Sequence, residues 1–172
     1  MFISGKHMSC DVDYITRKFY AASNSVFSCC HDLDELLQLQ LQRSYCLPIL
    51  QYATAAICLT KSQLRSLNSC WNDVYRKIFK FNRWNSVTEF IGGLGYLNFV
   101  YLRYLSIIKF LKVSVISTNL VLRNAVAMFL QGTEYRRLSE LLRININMPM
   151  YNIRNLVYES YLSSYNVEVE RE

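Results

Sequence analysis

The chain reads as an all-α protein, an irregular helical bundle of about seven or eight helices. Three observations predict this. Apolar residues recur at spacings of three and four along most of the sequence, which places them on one face of a helix. Backbone breakers are scarce: five glycines and two prolines in 172 residues, too few for the tight turns that many short strands require. Before three of the apolar runs stands Ser, Thr or Asp with Glu or Gln three residues later, the pattern of a capping box. The hydrophobic fraction of 52% and aromatic fraction of 14% exclude a disordered composition, and a chain of this length buries about 70% of its unfolded surface.

Taken in order, Val12, Ile15, Phe19, Ala22 and Val26 share one helical face, with Asp11 and Asp13 at the N-terminus where negative charge is favoured. Asp32-Leu-Asp-Glu35 reads as the next capping box. The alternation Leu37-Gln-Leu-Gln-Leu41 resembles a strand, but the cap precedes it without a turn, so helix is expected until Pro48 kinks or ends it. Thr60-Lys-Ser-Gln63 caps a helix expected over 61–83. Its apolar residues Leu64, Leu67, Trp71, Val74, Ile78 and Phe81 fall within about 80° of arc, and Arg65, Arg76, Lys80 and Arg83 within about 60° on the far side. One side is then core and the other a basic ridge about 27 Å long, flanked by Lys77.

Ser86-Val-Thr-Glu89 reads as a third capping box, before a short helix ended by Gly92-Gly93 and Gly95. Helices are expected over 98–115, 119–131 (stopped by Gly132), 133–143 and 150–164, with a break at 145–149 and an acidic tail over 167–172 that frays. A domain boundary is placed near 92–95, giving a helical bundle over 1–92 and a helical extension over 93–172.

The net charge of +6 is confined to the middle of the chain. Residues 61–123 hold 10 basic and 2 acidic side chains, against 4 and 5 before them and 5 and 6 after. A localised basic block suits a polyanion, and equally an acidic protein partner. The six cysteines, Cys10, Cys29, Cys30, Cys46, Cys58 and Cys70, form no CxxC pair. With no secretory pattern at the start, they read as reduced, mostly core residues of an intracellular protein. Cys29-Cys30-His31 with His7 and Cys10 fits no standard zinc spacing, so no metal or other cofactor is expected. The uncharged run 44–60 falls short of the ~20 residues of a bilayer span and carries Pro48 and Gln51; a buried helix pair is expected there, and no membrane partner.

No phosphate loop, nucleophile elbow or HExxH pattern is present. Asp11 and Asp13, like Asp32 and Asp34, lie two apart and diverge on a helix. Trp84 could stack on a base or pack in the core; core is expected, as single aromatics beside a helix end usually pack. These residues argue for binding rather than catalysis.

Leu67-Asn-Ser-Cys-Trp-Asn72, Val74-Tyr-Arg-Lys-Ile-Phe79, Phe81-Asn-Arg-Trp84, Ser86-Val87 and Gly93-Leu-Gly95 resemble the region after the polymerase core in LINE-type (non-LTR) retrotransposon reverse transcriptases. Leu47-Pro-Ile-Leu-Gln-Tyr52 looks like that family's proline-containing thumb helix, and Asp13-Tyr-Ile15 with Arg17-Lys18 like its first thumb helix. Phe2-Ile-Ser-Gly-Lys6 looks like the remnant just after its primer-grip strand. The resemblance covers about residues 2–105 and implies a thumb-like fragment without the palm aspartates, since no Asp-Asp pair occurs. It therefore implies no polymerase activity by this chain alone. The implied partner is an RNA–DNA or RNA duplex held by its phosphates, with the missing polymerase core as a second. The expected contacts are Arg65, Arg76, Lys77, Lys80 and Arg83, with Arg17 and Lys18 as weaker candidates. About four phosphate contacts give weak binding with a salt slope near −3 to −4. The alternatives are a helical protein-interaction module and a non-functional retroelement relic.

Overall fold

A computed structural model describes the backbone at residues 2–3, 9–52, 54, 57 and 59–169, and side chains at 11–52, 54, 57, 59–133 and 135–164. The described residues are all-α in character. The helices are α1 (Val12–Cys29), α2 (Glu35–Leu41), α3 (Leu47–Gln51), α4 (Lys61–Ile78), α5 (Thr88–Gly93), α6 (Phe99–Val115), α7 (Leu120–Gln131), α8 (Thr133–Leu142) and α9 (Met150–Val169). A wide π-helical turn, Gln42–Cys46, joins α2 to α3 without a break. Ahead of them, two short antiparallel strands, β1 (Phe2–Ile3) and β2 (Ser9–Cys10), pair Phe2 with Cys10 and Ile3 with Ser9. The chain forms two compact units, Met1–Val100 and Tyr101–Glu172.

In the first unit, Asp11 caps α1 by accepting from Tyr14 N at 3.1 Å, and α1 buries Val12, Ile15, Phe19 and Ser23. The alternating leucines are helical as expected. The cap of α2 is Asp34, which accepts from Leu36 N at 3.0 Å, not Asp32; this moves the helix start two residues along. Pro48 lies in the first turn of α3, where its missing N–H costs nothing. Leu47 N instead donates five residues back to Gln42 O, and this wider winding relieves the clash between a proline ring and the preceding turn. Of the helix pair expected over 44–60, only the first is helical among the described residues. Tyr52 turns to an extended ψ of 123°, and residues 57, 59 and 60 are not helical. Residues 53, 55, 56 and 58 lie outside the described set.

The core of this unit is built on aromatic side chains. Trp71, Tyr75, Phe19, Leu39, Leu50, Leu67, Ile91 and Phe99 are fully buried. The Trp71 ring meets Phe19 at 6.5 Å and Tyr75 at 5.5 Å, both edge-on, the arrangement that the ring quadrupoles favour. Helix α5 has no side-chain capping bond at Val87. Ser86 Oγ reaches Thr88 N at 3.4 Å, a local turn in place of the third capping box. Gly95 ends α5 at φ 76°. Tyr96 N bonds Ile91 O at 3.0 Å and Gly95 N bonds Gly92 O at 2.9 Å, a Schellman closure that requires a left-handed residue at Gly95.

In the second unit, Asn119 Oδ1 caps α7 by accepting from Val121 N and Leu122 N. Gly132 joins α7 to α8 where a Cβ would stand 3.1 Å from Phe129 O. Arg143 ends α8 in the left-handed region, φ 52°, and Ile144 N closes back on Ser139 O at 3.0 Å. Lys112 Nζ donates to Ile146 O at 2.7 Å and Met148 O at 2.6 Å, fastening the end of α6 to the expected break at 145–149. Tyr161, Ile153, Leu142 and Ile108 are fully buried. Helix α9 runs on to Val169, five residues past its expected end; of the acidic tail, residues 170–172 lie outside the described set.

Candidate nucleic-acid interface

Helix α4 places the basic residues, and its own sequence explains how. Thr60 Oγ1 accepts from Gln63 N at 3.2 Å while Gln63 Oε1 accepts from Thr60 N at 2.9 Å, so the expected capping box is complete. Leu67, Cys70, Trp71, Val74, Tyr75 and Ile78 are buried, which fixes the rotation of the helix and turns Arg65 outward. Cys70 and Tyr75 widen the buried face beyond the stripe read from the sequence.

The helix stops at Ile78, not at residue 83. Lys80 takes a left-handed backbone, φ 57°, and Phe81 N bonds back to Arg76 O at 3.0 Å. This is the same closure as at Gly95, with a lysine where glycine is usual, at a backbone cost of about 1–2 kcal/mol. The reason lies in the neighbouring aromatic residues. Phe79 and Phe81 both set their rings against Phe90, at 4.6 and 4.9 Å, which only a reversed chain allows. The apolar spacing that extended the helix to Phe81 is equally the apolar contact of a helix C-terminus.

The straight basic ridge is therefore replaced by a helix face and a loop beyond it. Arg65 is exposed on α4, and Lys80 and Arg83 are exposed in the loop 79–87. None of the three makes an ion pair among the described residues, where Arg76 pairs with Asp73 and His31 Nε2 lies 3.1 Å from Asp32 Oδ2. Trp84 is 84% exposed rather than in the core, because Phe79 and Phe81 occupy the apolar space beside Phe90. The Arg83 guanidinium sits 5.5 Å from the Trp84 ring centroid.

Arg76, half-buried, and Lys77, exposed, both engage the chain's own groups. Arg76 NH1 meets Asp73 Oδ1 at 2.8 Å, and its Nε donates to Asn85 O at 3.1 Å. Asp73 Oδ2 in turn accepts from Tyr20 OH at 2.8 Å. Burial, then hydrogen bonding to Cys70 and Asp73, pushes the Tyr20 hydroxyl well above the usual tyrosine range, so it remains a donor. The resulting line of contacts, Tyr20 to Asp73 to Arg76 to Asn85, ties the loop to α4 and α1. Lys77 Nζ donates to Asn24 Oδ1 at 3.0 Å and lies 4.2 Å from the Phe27 ring centroid, a second brace to α1. Arg17 and Lys18 are exposed on α1; Lys18 lies over the Tyr14 ring at 4.7 Å.

Arg65, Lys80 and Arg83, expected on one helical ridge, are exposed on α4 and in the loop, and Trp84, expected in the core, is exposed in the same loop. The asparagines at 82 and 85, good turn formers, were the signal of that loop. Sequence reasoning missed the Tyr20–Asp73 bond, which joins residues 53 apart and leaves no local trace.

Other groups offer less chemistry. An open cleft of about 400 Å³ is lined by Gln40, Arg43, Ser44, Leu47 and Tyr96, and Arg43 is stacked 3.8 Å from the Tyr96 ring centroid. Cys46 and Cys70 are buried, Cys29 is exposed, and all three are free thiols. Burial pushes the Cys46 thiol up, away from the thiolate form. Among the described residues no three His, Cys, Asp or Glu side chains come together to hold a metal; His7 and the Cys10 side chain, which the Cys29-Cys30-His31 cluster would need, lie outside them. No helix among the described residues is long and apolar enough to cross a membrane.

Comparison with known proteins finds no matching family model, no matching curated protein and no matching solved structure.

Proposed function

We propose that the unit Met1–Val100 is a non-catalytic nucleic-acid-gripping module, a thumb-like piece of a LINE-type reverse transcriptase that holds a template–primer duplex by its phosphates. The observation that carries this reading is the arrangement of Arg65, Lys80 and Arg83. All three are exposed, and the loop 79–87 holds no carboxylate. It is anchored from beneath by Arg76. Uncompensated cations on a braced support suit phosphate oxygens, which position a duplex without reading its sequence. In this reading Arg76 and Lys77 are positioning residues, and Arg65, Lys80 and Arg83 touch the phosphates.

The test is binding of the full chain to a labelled RNA–DNA hybrid duplex across a salt series. Three contacts give a slope of log affinity on log salt near about −3. The triple substitution Arg65→Ala, Lys80→Gly and Arg83→Ala should flatten that slope to near zero and abolish most of the affinity. A wild-type chain that is folded and fails to bind at low salt overturns the proposal.

A second reading, a helical protein-interaction module, draws on the other unit, where Ile116 is 82%, Val121 79% and Met128 76% exposed. Val121 and Met128 lie seven residues apart, on one side of α7, and a contiguous exposed apolar face marks a protein contact. Saturable capture of an acidic protein with no competition by nucleic acid would favour it.

A further inference from the structure

Phosphate contacts leave one feature of the loop 79–87 unused: the indole of Trp84. Its exposure of 84% is not the result of a slack loop. Trp84 N donates to Asn82 Oδ1 at 3.3 Å, Asn85 N to Asn82 O at 3.1 Å, and Asn85 O accepts from Arg76 Nε at 3.1 Å. The two aromatic neighbours, Phe79 and Phe81, are packed on Phe90, and the third is held out. Arg83 lies over the ring at 5.5 Å, the residue keeps most of its surface open, and Lys80 is exposed in the same loop.

Resting on the nucleic-acid reading above, we infer that Trp84 is a stacking platform for an unpaired base, so that the loop binds single-stranded nucleic acid or a frayed strand end in preference to a closed duplex. A flat apolar face beside uncompensated cations matches a ligand that alternates flat bases with phosphates. In a closed duplex every interior base face is already stacked, and only edges and phosphates reach the surface. An indole can lie on a base face only where pairing has ended or never formed. Arg83, cationic and planar, completes the arrangement by facing the ring from one side while the base takes the other. Stacking of this kind tolerates any base, since each has a π-face, so the loop grips a strand without selecting a sequence.

The experiment compares two probes on the full chain: a short single-stranded RNA and a blunt RNA–DNA hybrid with the same number of phosphates. Trp84→Ala should weaken single-strand binding by about 5- to 150-fold, the span of one aromatic–base stack. It should leave hybrid binding within about twofold, since phosphates carry that. Trp84→Phe should restore much of the single-strand affinity. Single-strand binding should also quench the fluorescence of Trp84, while Trp71, fully buried, reports that the fold is intact. If Trp84→Ala weakens both probes equally, or binding leaves Trp84 emission unchanged, the stacking inference falls and the phosphate-gripping reading stands. If neither probe binds the wild-type chain, both fall.

Discussion

Helices α4 and α7 show how little apolar content alone says about burial. Helix α4 carries five charged residues among its 18, yet six of its side chains are buried; α7 carries one, Arg123, among its 12, yet only Val126 is buried. The difference lies in distribution around the helix. In α4 the apolar residues occupy one arc, which a neighbouring face can cover completely, and the charges stay in water. In α7 they surround the axis, so a neighbour on one side covers Val126 and leaves Val121 and Met128 79% and 76% exposed. Burial is set by the fit between an arc and its neighbour, and the α4 arrangement is what leaves Arg65 exposed on the far side.

That contrast can be tested, and the largest effect belongs to α4. Replacing Trp71 with Ala removes a fully buried ring that meets Phe19 and Tyr75. It should cost about 3–5 kcal/mol, read as a lower denaturant midpoint at unchanged slope. A loss below about 1 kcal/mol would mean that α4 does not anchor its unit.

An intermediate effect should come from alkaline pH. Tyr75 is fully buried, and burial pushes its hydroxyl above the usual tyrosine range against a smaller opposing pull from Arg43. A group whose folded pKa is raised stabilises fully below its unfolded pKa, near 10 for tyrosine, and that stability is lost as pH rises beyond it. About 1.4 kcal/mol should be gone one pH unit above the unfolded value. The half-buried Tyr20 and Tyr104 are raised in the same direction and should add losses of the same sign. Circular dichroism across an alkaline titration checks this, and Tyr75→Phe should move the onset of unfolding to higher pH. An onset unmoved by that substitution would contradict the assignment.

The smallest effect should come from α7. Met128→Ala should shift stability by no more than about 0.5 kcal/mol in thermal unfolding, as for other surface sites. A loss several times larger would mean that this face is covered in solution, and would favour the protein-contact reading.

Much of the architecture was legible locally. The complete capping box of Thr60 and Gln63, the glycine stop at Gly95, the Asn119 cap and the break before Met150 each depend on residues within a few positions of one another. The periodic stripe through Leu67, Trp71, Val74 and Ile78 correctly named the buried side of α4. The errors were local as well. Asp34 rather than Asp32 caps α2: Asp32 has the Glu three residues on that the pattern asks for, Asp34 has Leu37 there, and the chain path selects the cap all the same. Phe81 continued the helical spacing while serving a helix end.

The sequence by itself determined the helical class, the capped start of α4, the core face of α4 and the confinement of positive charge to the middle of the chain, because each rests on spacing and side-chain type. Tertiary structure decided where α4 stops, which cations are left free and where Trp84 points. Phe79 and Phe81 turn the chain to reach Phe90, and the Tyr20–Asp73–Arg76 line fastens the loop that results. Those outcomes depend on contacts between residues brought together only by folding, whose energies no local pattern encodes.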